Sequence, residues 1–403
     1  MDRGDDPSQM EPLLLPQGSR ERDPLNDLAL RISAASEGFR RSIPGPLVTA
    51  LAELVRGMNC YYSNLIEGHN THPVDIERAM NGVYSTDPSR RNLQLEAKAH
   101  VEVQRWIDRG GLKGRAMTTD SICEIHRRFC EQLPPELLVV TEPETGKTLK
   151  VIPGELRREN VQVGRHIPVG PGEVKRFLHR FESVYGSLGR LETILAAAAA
   201  HHRLLWIHPF LDGNGRVARL MSHAVLLDAL NSGGVWSVAR GLARSVATYK
   251  EHLASCDAPR RNDLDGRGPL SEEALVDFTT FFLKTCLDQV RFMEELMQPN
   301  RLRARILLWV DEEVRAGSLP PRSGQVLEAV LFRNELARGE GGDGELHAVD
   351  DGVKPALQQL DQVLRGIALA AHRLEIILAE LLLADVAVIA LELLLGHQLH
   401  AEI

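Results

Sequence analysis

Between Leu191 and Ala229 two apolar helical patterns are interrupted by His208-Pro209-Phe210-Leu211-Asp212-Gly213-Asn214-Gly215, and this interruption constrains the fold more than any other stretch. Upstream, Leu191 to Ile207 contains five successive alanines, Ala196 to Ala200, which let neighbouring helices approach closely from several sides. That helix is expected to run through the core. Downstream, Arg216 to Ala229 places Val217, Leu220, Met221, Ala224 and Leu227 at the spacing of a buried helical face. Pro209 stops helix from continuing smoothly through His208, while Gly213 and Gly215 are free to take positive φ and Asn214 tolerates it. A tight loop must therefore join the two helices and open onto the N-terminus of the second. The first N–H groups of a helix have no partner within it, so an anion belongs there.

Helical patterns dominate the rest of the chain, and the fold class is all-α. Further helices are expected over Pro46 to Gly57, Gly57 to Ile66, Asp75 to Asn81, Leu93 to Arg109, Thr118 to Leu133, Gly172 to Tyr185, Val246 to Ser255 and Ser271 to Met297. Val139 to Thr141, Thr148 to Ile152 and Val161 to Val163 are short and β-branched, with Gly146 and Gly154 between them, which suits a small hairpin flap. Residues 1–25 are rich in Asp, Pro, Gly, Ser and Arg and are expected to be disordered. Past Pro299 two helical patterns, Arg301 to Arg315 and Gly324 to Leu336, give way to Gly339 to Gly344 and a leucine-rich tract, Leu364 to Leu395. Helical packing or self-association is the expectation for that tract; an altered reading frame near Gly341 would also explain the change in character.

The net charge of −8, with 25% charged and 5% aromatic residues, gives no general basic footprint for nucleic acid. The leucine-rich tract has no Lys or Arg beyond Arg373 to replace counterions, and Arg373, Glu375, Glu380, Asp385 and Glu392 break it up short of a membrane span. Neither DNA nor a membrane is an expected partner. Five cysteines, Cys60, Cys123, Cys130, Cys256 and Cys286, form no CxxC pair, and the opening Met1-Asp2-Arg3-Gly4-Asp5-Asp6 is acidic where an export signal is basic. A cytoplasmic location is expected.

The chemistry follows from side chains in the interruption. His208 can accept a proton near neutral pH without a large pKa shift and is the candidate general base. Asp212, a single carboxylate beside an anion cradle, suits Mg²⁺, which takes one or two carboxylates together with phosphates and water; Mn²⁺ would serve equally. Gly213, Asn214 and Gly215 offer backbone N–H groups and an amide to phosphates, and Arg216 and Arg219 lie three apart at a helix start, able to reach one side. Far upstream, Ser63 and Glu67 share a helix face and Gly68 stands where a helix-ending glycine would.

His208 to Arg219 meets every specified position of HPFx(D/E)GNGRxxR and so resembles the signature of Fic-domain proteins. The resemblance covers roughly residues 50–290 and implies a Fic-type helical bundle with a β-hairpin flap. It further implies a protein adenylyltransferase that takes AMP from ATP to a hydroxyl of a target protein. On this reading 26–100 is an N-terminal helical region, 101–298 the catalytic core and 299–403 a C-terminal helical region with a partial winged-helix-like start. His208 would deprotonate the hydroxyl, Arg216 contact the β-phosphate and Arg219 the γ-phosphate. Ser63-Asn64-Leu65-Ile66-Glu67-Gly68 is similar to the family's inhibitory (S/T)xxxE(G/N) helix, so Glu67 would pair with Arg219. Val163 and His166 resemble the flap that aligns the target, and Tyr249 would stack on adenine. Gly215-Arg216, where kinase-like Doc relatives carry lysine after the Asn, favours AMP transfer. Removal of AMP, UMP or phosphocholine transfer, and a transcriptional regulator with a C-terminal DNA-binding module stay open, as does a homodimer.

Overall fold

The computed structural model describes residues 4–43, 45–69, 71–141, 146–298, 307–308, 310–312 and 314–317. The chain divides into two compact units, Met1–Arg291 and Phe292–Ile403. The first comprises helices α1 (Arg22–Ser42), α2 (Gly45–Ile66), α3 (Pro73–Met80), α4 (Pro88–Asp108), α5 (Thr119–Cys130), α6 (Val174–Tyr185), α7 (Arg190–Ile207), α8 (Asn214–Leu230), α9 (Val238–Arg244) and α10 (Val246–Cys256), and most of α11 (Glu272–Leu296). Strands β1 (Val139–Thr141) and β2 (Thr148–Lys150) form an antiparallel hairpin with Val140 opposite Leu149.

The α7–α8 pair is the centre of this unit. Helix α7 packs along α8 and is flanked by α6 and α1, while α8 also touches α5, α1 and α4. Ile194 to Leu204 is buried throughout, and small Ala196 to Ala200 side chains permit neighbours on every side. Helix α2 lies against α4, α9 and α3, so its C-terminal end is fixed by packing rather than by propensity.

Four expectations are corrected. Helix α2 runs unbroken through Gly57, since one mid-helix glycine weakens a helix by only about 1 kcal/mol and tertiary packing outweighs it. Helix α1 starts at Arg22, ahead of the helical region expected from residue 26, with Leu25, Leu28, Ala29, Ile32 and Phe39 buried at helical spacing. Val161 to Val163 is not a strand; a single bridge joins Val163 to His166. Residues 4–21 are packed, not disordered: Met10, Leu13 and Leu15 are buried, Tyr185 Oη donates to the Leu13 carbonyl at 2.6 Å, and Arg203 Nη2 donates to that of Pro12 at 2.9 Å. Three apolar anchors and two buried donors outweigh a polar composition. Leu13→Ala is expected to destabilise the protein by about 2–5 kcal/mol in urea unfolding; a change within about 0.5 kcal/mol would mean that the arm is not part of the folded unit.

The winged-helix-like start and the leucine-rich tract fall almost wholly outside the described residues. Among those described, no helix is long and apolar enough to cross a membrane.

Candidate active site

Helix α7 ends at Ile207, and His208 takes a left-handed backbone conformation (φ 52°, ψ 63°), its N–H donating to the Leu204 carbonyl at 3.0 Å. This is the usual way to stop a helix, with Pro209 preventing its resumption. Two residues hold the turn that sequence reasoning did not find. Arg157, 3% exposed, donates from Nε to the His208 carbonyl at 2.7 Å and from its backbone N–H to the Pro209 carbonyl at 2.9 Å. His126 stacks on Phe210, ring centroids 3.9 Å apart and planes within 2°, and its Nδ1 accepts from Gly154 N–H at 2.9 Å. Nδ1 therefore lacks the proton and Nε2 carries it. Neither residue lies in a motif that spacing alone would single out.

The loop then closes on itself. Asn214 accepts from Phe210 N–H at 3.0 Å and donates to the Phe210 carbonyl at 2.9 Å, and is 3% exposed. Its amide thus shapes the loop, which corrects the expectation that it faces phosphate; the backbone N–H groups of the first turn of α8 are what the loop presents. Gly213 has φ 79°, a conformation that glycine adopts without strain, and Asp212 is exposed with Oδ1 accepting from Gly213 N–H at 2.7 Å.

Glu67 and Arg219 meet. Arg219, buried on α8, donates from Nη2 to Glu67 Oε1 and from Nε to Ser63 Oγ at 2.8 Å, so Ser63 in the last turn of α2 and Glu67 just beyond its end grip one guanidinium. Gly68, φ 84°, ends α2, and His69 N–H donates to the Asn64 carbonyl at 2.9 Å, which fixes the turn carrying Glu67. A methyl group on Gly215 would overlap Glu67 Oε1, so the carboxylate covers the first turn of α8 where an anion would otherwise sit. Burial pushes the Glu67 carboxyl up, but the charge and hydrogen bond of Arg219, aided by Arg216 and His69, prevail and hold it below the usual carboxylate range.

Arg216 is also engaged. Its Nη2 donates to Glu96 Oε2 on α4 and lies 3.1 Å from His69 Nδ1, and its guanidinium sits 5.2 Å from the Phe129 ring. Glu96, absent from the sequence reading, thus neutralises the second arginine as Glu67 neutralises the first, and His69, equally absent from it, shares that carboxylate, its Nδ1 3.1 Å from Glu96 Oε2. Tyr249 requires correction: it is 2% exposed, and its hydroxyl lies 2.7 Å from His201 Nε2. A ring so covered has no face for adenine; Tyr249 lies instead within the shell behind Arg219, whose charge acts on its hydroxyl. At the flap, Val163 is 44% exposed and exchanges backbone hydrogen bonds with His166, whose Nε2 is 2.7 Å from the Trp206 carbonyl on α7.

Burial, and next the charge of Arg157, lower the His208 imidazole to a pKa of about 4. The ring is therefore neutral at pH 7. A neutral imidazole, a helix N-terminus and two arginines thus surround one loop, groups able to take a proton and to stabilise phosphate charge.

Residues 116–226 match the Fic/DOC family model. It is 37% identical to the protein adenylyltransferase Fic of Drosophila erecta over 171 residues, which are 42% of this chain and 32% of the fly protein. The protein adenylyltransferase Fic of Drosophila willistoni is 35% identical over 173 residues, 42% of this chain and 31% of that protein. The chain spans about a third of the length of the curated relatives it matches. A solved Fic family protein from Desulfovibrio desulfuricans G20 shares the fold, with TM-score 0.50 and 14% identity over 83% of this chain and 99% of that one.

Proposed function

We propose that this chain is a protein adenylyltransferase that moves AMP from ATP to a hydroxyl of a target protein, or of itself, and is held silent by Glu67. The pairing of Glu67 with Arg219 across the first turn of α8 carries this reading, because it places an internal carboxylate where a phosphate would bind. His208 takes the hydroxyl proton as the oxygen bonds to the α-phosphorus and the bond to the bridging oxygen of pyrophosphate breaks. The α8 N-terminus and Arg216 stabilise the charge that gathers on the departing pyrophosphate. Arg219, once released, holds the γ-phosphate and so aligns the α-phosphate for attack.

Asp212 fits a Mg²⁺ or Mn²⁺ ion brought in by the nucleotide. Its carboxylate is exposed beside the cradle, and Mg²⁺ needs only one or two carboxylates when phosphates and water complete its shell. Bound there, the ion would neutralise phosphate charge. Asp212→Asn keeps the shape and loses the charge; AMP transfer is expected to fall at least about 100-fold, comparable to removing one preorganised stabilising group, and to vanish in EDTA. Undiminished transfer in EDTA would end the metal assignment.

All five cysteines are free thiols, four of them buried, which fits a cytoplasmic location. Intact-mass spectrometry after incubation with ATP and Mg²⁺ tests the activity, with addition of AMP expected and addition of phosphate alone counting against it.

A further inference from the structure

Arg157 lies between the β1–β2 hairpin and the flap, 3% exposed, with its guanidinium directed at main-chain carbonyls. Nε donates to the His208 carbonyl at 2.7 Å, Nη1 to that of Glu159 at 3.0 Å, and Nη2 to those of Val169 and, at 3.3 Å, Ile207. Its own N–H donates to the Pro209 carbonyl at 2.9 Å. One side chain thus joins three pieces of backbone: the end of α7, the first residue of the loop, and both roots of the flap, whose turn at Val163 and His166 lies between Glu159 and Val169.

Each contact answers a physical need. The last carbonyls of a helix have no partner within it and carry the negative end of its dipole, so a buried cation there is favourable. A left-handed residue other than glycine costs of order 1–3 kcal/mol and persists only where its surroundings fix it. His208 is such a residue, and charge-assisted bonds from a planar fork are stiff enough to fix it. Lysine could not replace this geometry, since a point charge cannot hold carbonyls on several sides at once.

We propose that Arg157 is a positioning residue: it locks the backbone of His208 to both roots of the flap, so that the base and the strand that would align a target hydroxyl are held as one unit. The proposal rests on His208 being the base. It predicts a loss concentrated in the transfer step, because the bonds above run to the His208 end of the loop and to the roots of the flap.

The test uses the full chain carrying Glu67→Gly, with Arg157→Met and Arg157→Lys added separately and folding checked by circular dichroism. For Arg157→Met, kcat for AMP transfer is expected to fall about 100-fold, the scale of an ångström of misplacement, with KM for ATP within about twofold of the parent because the ATP contacts are untouched. Arg157→Lys should keep the charge and still lose about tenfold in kcat, as expected for partial misplacement. Histidine NMR titration gives a readout independent of activity: because the Arg157 charge helps lower the His208 pKa, His208 should titrate higher in Arg157→Met than in the parent and stay near its parent value in Arg157→Lys. A folded Arg157→Lys protein with parental kcat would overturn the proposal, as would equal losses in kcat and ATP affinity. If Arg157→Met does not fold, the lysine variant decides alone. Absence of labelling by the Glu67→Gly parent would instead remove the adenylyltransferase reading, and the NMR titration would still report whether Arg157 and His208 are coupled.

Discussion

Glu67→Gly is expected to raise self-modification by ATP at least about 100-fold over the unaltered chain, because it restores alignment rather than chemistry. Glu67 Oε1 accepts from Arg219 and covers Gly215, so a γ-phosphate held by Arg219 would have neither its cation nor its space. ATP bound with a displaced γ-phosphate would present its α-phosphate out of line with the attacking hydroxyl. Removing the carboxylate frees Arg219, which Ser63 Oγ still orients through Nε at 2.8 Å. Arg219→Ala alone should not activate, since it removes the anchor together with the block. The double variant should behave like Arg219→Ala, a non-additivity that marks two residues acting on one step. Intact-mass spectrometry with ATP and Mg²⁺ reads all three proteins. Equal labelling of Glu67→Gly and the unaltered chain would show that Ser63 to Gly68 is no more than a helix end.

The parts of this site visible in the sequence are those whose chemistry is local. His208 to Arg219 could be read as a loop between helices because proline and glycine act on the backbone at their own positions. Ser63 and Glu67 could be paired with Arg219 only through resemblance, since nothing in spacing joins residues so far apart. Arg157, His126, Glu96 and His69 were missed for a common reason: each acts through a contact that only the packed helices create. Glu96 looks like a surface carboxylate on α4 until α8 brings Arg216 against it, and Arg157 looks like one more arginine in a charged stretch until α7 ends beside it. Tyr249 shows the converse error. Its ring suggested stacking on a base, but the fold covers it behind Arg219. The N-terminal arm failed for yet another reason, since composition averaged over 25 residues hides three well-spaced anchors, Met10, Leu13 and Leu15.

His208→Ala in the Glu67→Gly background is expected to lower AMP transfer by about 10²–10⁴-fold, the range for removing a general base, while calorimetric ATP affinity stays within about twofold because the imidazole holds no phosphate. The backbone at His208 is left-handed, so alanine adds strain as well as removing the base. His208→Asn, which tolerates that conformation, separates the two effects: it should be as inactive as alanine if proton transfer is what is lost. The pH profile supplies an independent check. Burial and Arg157 lower the His208 pKa to about 4, which favours the neutral ring, so the base is already competent well below neutrality. Protonation removes it only as pH falls through that value. The acid limb of kcat/KM for the Glu67→Gly protein, which reports groups of the free enzyme, should therefore lie well below the 6.5 of an ordinary histidine, the more so because the Glu67 charge that raises the His208 pKa is gone. In His208→Asn the residual rate should lack this limb. Transfer by His208→Asn at the parental rate, or an identical limb without the imidazole, would assign the proton to another group.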